Sequence, residues 1–469
     1  MFRARFLKYL GAAIFFVIVM FEIATTKDFY LFVYPFIILF ILSIPLINRN
    51  KADYFSIWSW IFYSSILGVF LRILYIFFSY PNYKEINNVF LIGNSKSFLV
   101  PAMLVVFTGV VFLVFGFSIT RKKIALKKKV FISDVWKKKK FFIISYLLII
   151  TSLLSFVYFI ELEGGLSSIL LNVSGYRGVS ETLKGASSRS YLRLLISLSG
   201  TNLFLLTAWL VRYKERKIMA IFLWIISFII FIFYNFYVSQ RSAIVFTMVQ
   251  LIALVYYAKG FKLPRGKMII GLTIGLVLFQ VMTLLRHSEN LENKNIDFSL
   301  TKAINQVVLT TNMIDVSKTA HIIKAIPHKI NYEYGLTLTT IFIAWIPREL
   351  WREKPSTNVD NTIGRRVFGA TTYGSGAVPP GIFAEMYWNF WVPGVIIGCF
   401  FIGVLLKIIN ESIISNIQNF NVILLHVVVF MYLGLSFIGS SFTSVLVSTL
   451  MTFIPLYLIL NFITVKNRY

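Results

Sequence analysis

Arginine is the residue type whose placement in this chain could do chemistry. The stretch IPRELWREKPSTNVDNTIGRR, residues 346–366, holds Arg348, Arg352, Arg365 and Arg366, with Lys354 among them. Arg177, Arg189, Arg193, Arg241 and Arg286 stand in or beside other interruptions of a chain that is otherwise apolar. A guanidinium is always charged, and its planar fork grips phosphate oxygens in pairs, which an ammonium does not do. Several forks at one face suit a diphosphate; where a diphosphate leaves, they meet its growing charge and no metal is required. The same arginines can instead pair with Glu349, Glu353 and Asp360 or with lipid headgroups.

Few other groups compete for a chemical role. Four histidines and 19 acids leave few general bases. The sequence has no phosphate-binding glycine loop, HExxH, nucleophile elbow or acid-rich metal cluster. No metal and no cofactor is therefore expected, and the single cysteine, Cys399, offers neither a disulfide nor a thiolate metal site. In PPGIFAEMYWNF, Glu385 lies within about a turn of Tyr387 and Asn389. The acid can favour a helix start or act as a base or sugar ligand. The rings can belong to an interfacial belt or stack on sugars. Arg241, in VSQRSAIVF, sits at a junction of two apolar runs with almost no loop, where a cation either snorkels or faces an anionic ligand. Arg72, inside an apolar run, poses the same alternative.

The elements that must hold these residues are membrane spans. With 58% hydrophobic and 14% charged residues and a mean hydropathy of +0.77, the chain carries too much apolar surface for soluble cores. Runs long enough to cross a bilayer predict an all-α polytopic protein with twelve spans near 6–24, 29–47, 54–79, 98–119, 141–160, 190–211, 218–238, 242–258, 268–285, 383–406, 422–438 and 443–463. The first is read as a retained span rather than a cleaved signal. Basic runs such as RKKIALKKKV and DVWKKKK, against short outer loops holding only Lys27, Lys84, Lys96 and Arg241, place both termini inside. That asymmetry accounts for much of the +27 net charge and makes nucleic acid an improbable partner; anionic lipid headgroups suffice.

Residues 1–285 then hold nine spans with a smaller outer loop at 161–189, residues 286–382 form a large outer loop, and 383–469 hold the last three spans. Within the large loop, residues 299–326 predict an amphipathic helix on the outer membrane surface, closed by Pro327. His321, Lys324 and His328 would share a face if that helix continued through the proline. YGLTLTTIFIAWIP is too short to cross and predicts a re-entrant or surface helix that brings the arginine stretch to the membrane boundary.

SQRSAIVF opening a span, a large late outer loop, IPRELWREKP, and SGAVPPGIFAEMYWNFWVPGVIIG leading into the final spans together resemble the Wzy-type O-antigen and capsular repeat-unit polymerases. The resemblance implies a C-type glycosyltransferase. It would join undecaprenyl-diphosphate-linked oligosaccharides into O-antigen or capsular polysaccharide on the outer face of the bacterial inner (plasma) membrane, releasing undecaprenyl diphosphate. It further implies a chain-length co-polymerase and a flippase as partners. Arg365 to Gly376 has the family's arginine-to-glycine spacing, whereas Ser188 stands where the glycine after Arg177 belongs. His287, beside Arg286, is the counterpart of an outer-loop histidine in related O-antigen ligases. On this reading Arg241, Arg286, Arg348 and Arg352 face the donor diphosphate, and Glu385 or His287 takes the acceptor proton. Tyr176, Arg177, Arg189, Lys354, Arg365, Arg366, Tyr387 and Asn389 bind substrate. The rivals are a ligase of the same superfamily and a lipid-linked oligosaccharide flippase. A flippase should show internal repeats, and no repeat relates the two halves of this chain.

Overall fold

The computed structural model describes residues 29–47, 53–74, 98–119, 133–162, 164–165, 186–213, 215–237, 241–262, 266, 316–346, 350–351, 353–354, 359–369, 378–437 and 439–465. The expected spans 6–24 and 268–285 lie outside them, as do Tyr176, Arg177, Arg286, His287, Arg348 and Arg352.

Thirteen helices are numbered here among the described residues: α1 (Phe29–Ile47), α2 (Ile57–Ser65), α3 (Leu99–Ile119), α4 (Lys138–Leu162), α5 (Ala186–Arg212), α6 (Lys217–Tyr237), α7 (Arg241–Ala258), α8 (Val316–Ala325), α9 (Leu336–Ile343), α10 (Val359–Arg366), α11 (Ile382–Ile414), α12 (Phe420–Phe430) and α13 (Phe442–Ile463). Two π-helical turns, Ile66–Leu71 and Met431–Leu435, extend α2 and α12. Seven helices among the described residues are long and apolar enough to cross a membrane, and three shorter apolar ones run over Val33–Ile47, Ala243–Ala258 and Phe420–Gly434. Each coincides with an expected span. A backbone whose hydrogen bonds are all internal is what a hydrocarbon solvent demands. Large apolar side chains stay exposed along these helices, Leu154 of α4 and Phe222 of α6 among them, as lipid-facing surfaces require.

Lipid is as apolar as leucine, so the helices are held together by close packing rather than by exclusion from water. The contact between α3 and α11 shows how. A β-carbon on Gly116 would overlap the carbonyl of Phe400, one on Gly403 the carbonyl of Leu113, and one on Gly109 the ring of Phe383. At the opposite end of α11 from Ile382, a short strap at residues 133–137 ties three helices together. Trp136 donates its backbone N–H to the Tyr213 hydroxyl (3.0 Å) and its indole N–H to Asn421 Oδ1 (2.8 Å), and Val465 donates to the Val135 carbonyl (2.9 Å).

The described residues of α8, within the 286–382 segment, are not a surface layer. Val316, Ala320, Ile322 and Ile323 of α8 are buried in the same core as the spans, where α8 packs on α3 and α11. The expected surface helix is thus an interior one over its described residues. Its apolar face meets protein and its Lys318 is buried as well. The helix ends at Ala325, before Pro327, and His328 is exposed on the following turn, so it does not share a helical face with His321 and Lys324. The YGLTLTTIFIAWIP stretch does form a short helix, α9, with Leu336, Phe342 and Trp345 exposed.

Candidate functional site

A broken helix builds the site. Within α11 the backbone leaves helical geometry at Phe390 (φ −142°, ψ 26°) and Trp391 (φ 56°, ψ −148°), two residues before Pro393. A proline has no N–H to continue the ladder and its ring crowds the preceding turn. The positive φ of a tryptophan is strain that the surroundings must hold. Ile382–Asn389 is therefore a separate half-helix, folded back so closely that a β-carbon on Gly394 would overlap the Met386 carbonyl.

The break leaves carbonyls without partners, and the segment before α9 answers them. Glu333 N–H donates to the Trp388 carbonyl (3.1 Å) and Tyr334 N–H to the Asn389 carbonyl (3.1 Å). Gly335, at φ 92°, donates its N–H to Asn389 Oδ1 (3.0 Å), and the Trp388 indole donates to the Asn331 carbonyl (2.9 Å). Asn389 in turn donates to Thr337 Oγ1 (2.7 Å) and to the Glu385 carbonyl (2.8 Å). All of Ile382–Asn389 is buried.

Two carboxylates converge on the first turn of α13. Glu385, wholly buried, accepts from the Thr337 hydroxyl (3.0 Å), the Thr443 hydroxyl and the Thr443 N–H (3.4 Å). Ser441, the N-cap of α13, donates to Asp360 Oδ1 (2.8 Å). A helix N-terminus presents unpaired N–H groups and the positive end of its dipole, so it is the natural seat for both acids. Lys318 supplies the cation: buried in α8, it donates to the Pro379 carbonyl (3.3 Å) and acts electrostatically on Asp360. Burial pushes the Asp360 carboxyl above its ordinary value, opposed by the Ser441 hydroxyl and by Lys318.

The expected site residues divide on this geometry. Glu385 and Asn389 come together, with Thr337, Thr443, Ser441, Asp360 and Lys318, which sequence reading had not joined to them. Glu385 stands in the first turn of its own helix and also receives groups from the first turn of α13. Tyr387 is buried with its ring 6.4 Å from that of Tyr332. Lys354 donates to the carbonyls of Ala344 (3.1 Å) and Ile346 (2.7 Å), so its ammonium secures the turn after α9. Arg365 and Arg366 end α10 and are exposed, and Arg366 meets Glu333 Oε1 at 3.2 Å. Asp360 accepts from the Ser441 hydroxyl, and Arg348 and Arg352 lie outside the described residues. Arg189 falls in α5, and Arg241 is the first residue of α7. Arg72 is buried, directly after the first π-turn.

A further polar cluster went unread in the sequence. Tyr257 donates to Asp53 Oδ1 (3.0 Å), and its hydroxyl lies 2.8 Å from His426 Nε2, both rings being buried. Its members are far apart in the chain, and no local motif announces them. Among the described residues no three His, Cys, Asp or Glu side chains group as metal ligands.

The fold and the site together define a multi-pass, all-α membrane protein with a broken helix whose first half is buried and carries a buried acid, Glu385. Comparisons with protein-family models, with curated proteins and with solved structures find no match.

Proposed function

We propose that this chain is a lipid-embedded glycosyltransferase that polymerises oligosaccharide repeat units carried on undecaprenyl diphosphate. The reading places twelve spans in the bacterial inner (plasma) membrane, both termini inside, with a chain-length co-polymerase and a flippase as partners. The observation that supports it is that one stretch on which the family resemblance rests forms a buried, broken half-helix, capped by the residues just before α9. PPGIFAEMYWNF folds into the buried half-helix, and Glu333, Tyr334 and Thr337 close over its broken end. A discontinuous helix at membrane depth is the kind of element on which membrane proteins build substrate sites.

On this reading Arg241, Arg286, Arg348 and Arg352 hold the diphosphate as it leaves, where fixed charge lowers the barrier most, while Arg177, Arg365 and Arg366 position glycans or the second carrier. The hydroxyl of one carrier-linked unit attacks the anomeric carbon of the chain on the other carrier. The carbon–oxygen bond to the diphosphate breaks, the diphosphate departs with the bonding pair, and the hydroxyl proton passes to Glu385 or His287. A ligase of the same superfamily differs in what accumulates without it: single capped units for a polymerase, long carrier-linked chains for a ligase. Alanine at Arg241, Arg348 and Arg352 together should abolish long polymer at normal protein levels. A normal ladder on a polysaccharide gel from that strain refutes the proposal.

A further inference from the structure

A cleft outside the buried acids carries the next inference. Ala243, Phe246, Thr247 and Gln250 follow one another at helical spacing along one face of α7, and with Met431 and Tyr432 of the second π-turn they enclose about 230 Å³. The cleft runs down about two turns near the start of α7, roughly 10 Å along the axis. Its second wall is irregular for a reason. Gly434 of the π-turn lies against α2, where a β-carbon would crowd Trp60 and the Ile57 carbonyl. The extra residue of a π-turn changes the direction of the side chains before it, and such turns recur at functional sites. The Thr452 hydroxyl donates to the Tyr432 oxygen (3.1 Å) and holds the phenol in place.

The lining selects a chemistry. An amide, two hydroxyls and two aromatic rings meet here, and among the described residues no charged side chain lines the space. A diphosphate or a uronic acid would find no counter-charge among these residues, and a bare hydrocarbon chain would leave the polar ends of Gln250 and Thr247 unanswered. A pyranose ring answers all of them. Its hydroxyls take the amide and hydroxyl groups, its C–H face lies on the rings, and a volume somewhat below the roughly 300–1,000 Å³ of a drug-sized pocket suits one sugar rather than a whole repeat unit.

We infer that the cleft between α7 and the π-turn of α12 is a subsite for one neutral monosaccharide, held by Gln250, Thr247 and Tyr432. The inference rests on the glycan-polymerase reading and fixes within it which kind of sugar is recognised. Saturation-transfer NMR on the full-length protein in detergent tests it, with the methyl glycosides of glucose, galactose and N-acetylglucosamine as probes and methyl glucuronide as the charged control. At least one neutral glycoside should receive saturation and the glucuronide should not. Gln250→Leu and Tyr432→Phe should each weaken that binding about tenfold, the loss of one buried hydrogen bond. Tyr432→Phe removes one oxygen alone, so it decides the matter if the leucine variant does not fold. Equal transfer to the glucuronide, no transfer to any neutral glycoside, or unchanged binding in Tyr432→Phe overturns the assignment. So does cross-linking of a diazirine-bearing acyl lipid to Phe246 or Met431 that the glycosides do not displace. Polymer formation in cells is read separately: glycoside binding without polymer sinks the polymerase proposal and leaves the subsite, and polymer without glycoside binding does the reverse.

Discussion

Glu385 is a side chain for which structural and chemical roles make different predictions. Its carboxylate receives two hydroxyls and a backbone N–H in a fully buried setting. Glu385→Ala strands those donors and should cost about 2–4 kcal/mol of stability, read as a lower melting temperature in detergent. Glu385→Gln keeps the shape and an acceptor for both hydroxyls, forfeits only the 3.4 Å bond from the Thr443 N–H, and should melt well above the alanine variant. If the glutamine variant also makes normal polymer, Glu385 is not the base. Asp360 gives a pH test. A carboxyl whose pKa is raised on folding stabilises the fold while it is protonated, below its unfolded value, and that contribution is lost as pH rises through the raised value. Asp360→Asn should flatten the melting temperature from acidic to neutral pH. Lys318→Met, which removes a cation favouring the ionised form, should steepen the loss toward neutral pH. A Lys318→Met profile parallel to the parent's would mean that the two groups are not coupled.

Helix boundaries set by length and hydropathy were legible in the sequence, and interruptions set by packing were not. The run at 29–47 is α1, and 242–258 differs from α7 by one residue at its start. The sequence placed the beginning of the tenth span near residue 383, whereas the decisive break lies further on, at Phe390–Trp391. Pro393 and Gly394 were the available signal, masked by an apolar run that reads as continuous. The α8 helix misled differently: its amphipathic pattern fits a membrane surface and a protein groove equally, and only the neighbours α3 and α11 decide. Glycine spacing gives the prediction at this scale. Gly116→Ala or Gly403→Ala, each forcing a methyl into a facing carbonyl, should destabilise by about 2–3 kcal/mol, measured by thermal unfolding. Gly260→Ala, with open space around its β-position but φ 68°, should cost only about 1 kcal/mol.

At the scale of the molecule the expected orientation can be tested with introduced thiols. Cys399 is wholly buried, so the natural chain should resist a membrane-impermeant maleimide and serve as its own background. His328→Cys, on an exposed turn, should label in intact cells, and Lys139→Cys, at the start of α4, only after the membrane is opened. Labelling of both from outside would overturn the assigned topology. The sequence by itself determined the solvent of this protein, most of its spans and the types of residue able to meet a diphosphate, because hydropathy, charge asymmetry and the chemistry of guanidinium are local properties. The tertiary structure alone decided that Glu385 and Asp360 meet at the start of α13, that Lys354 secures a turn, and that α7 and a π-turn leave a cleft. Those outcomes depend on which helix ends and faces come together in space, and residues such as Asp360 and Ser441, brought to 2.8 Å across 81 positions, leave no trace of that meeting in their local sequence.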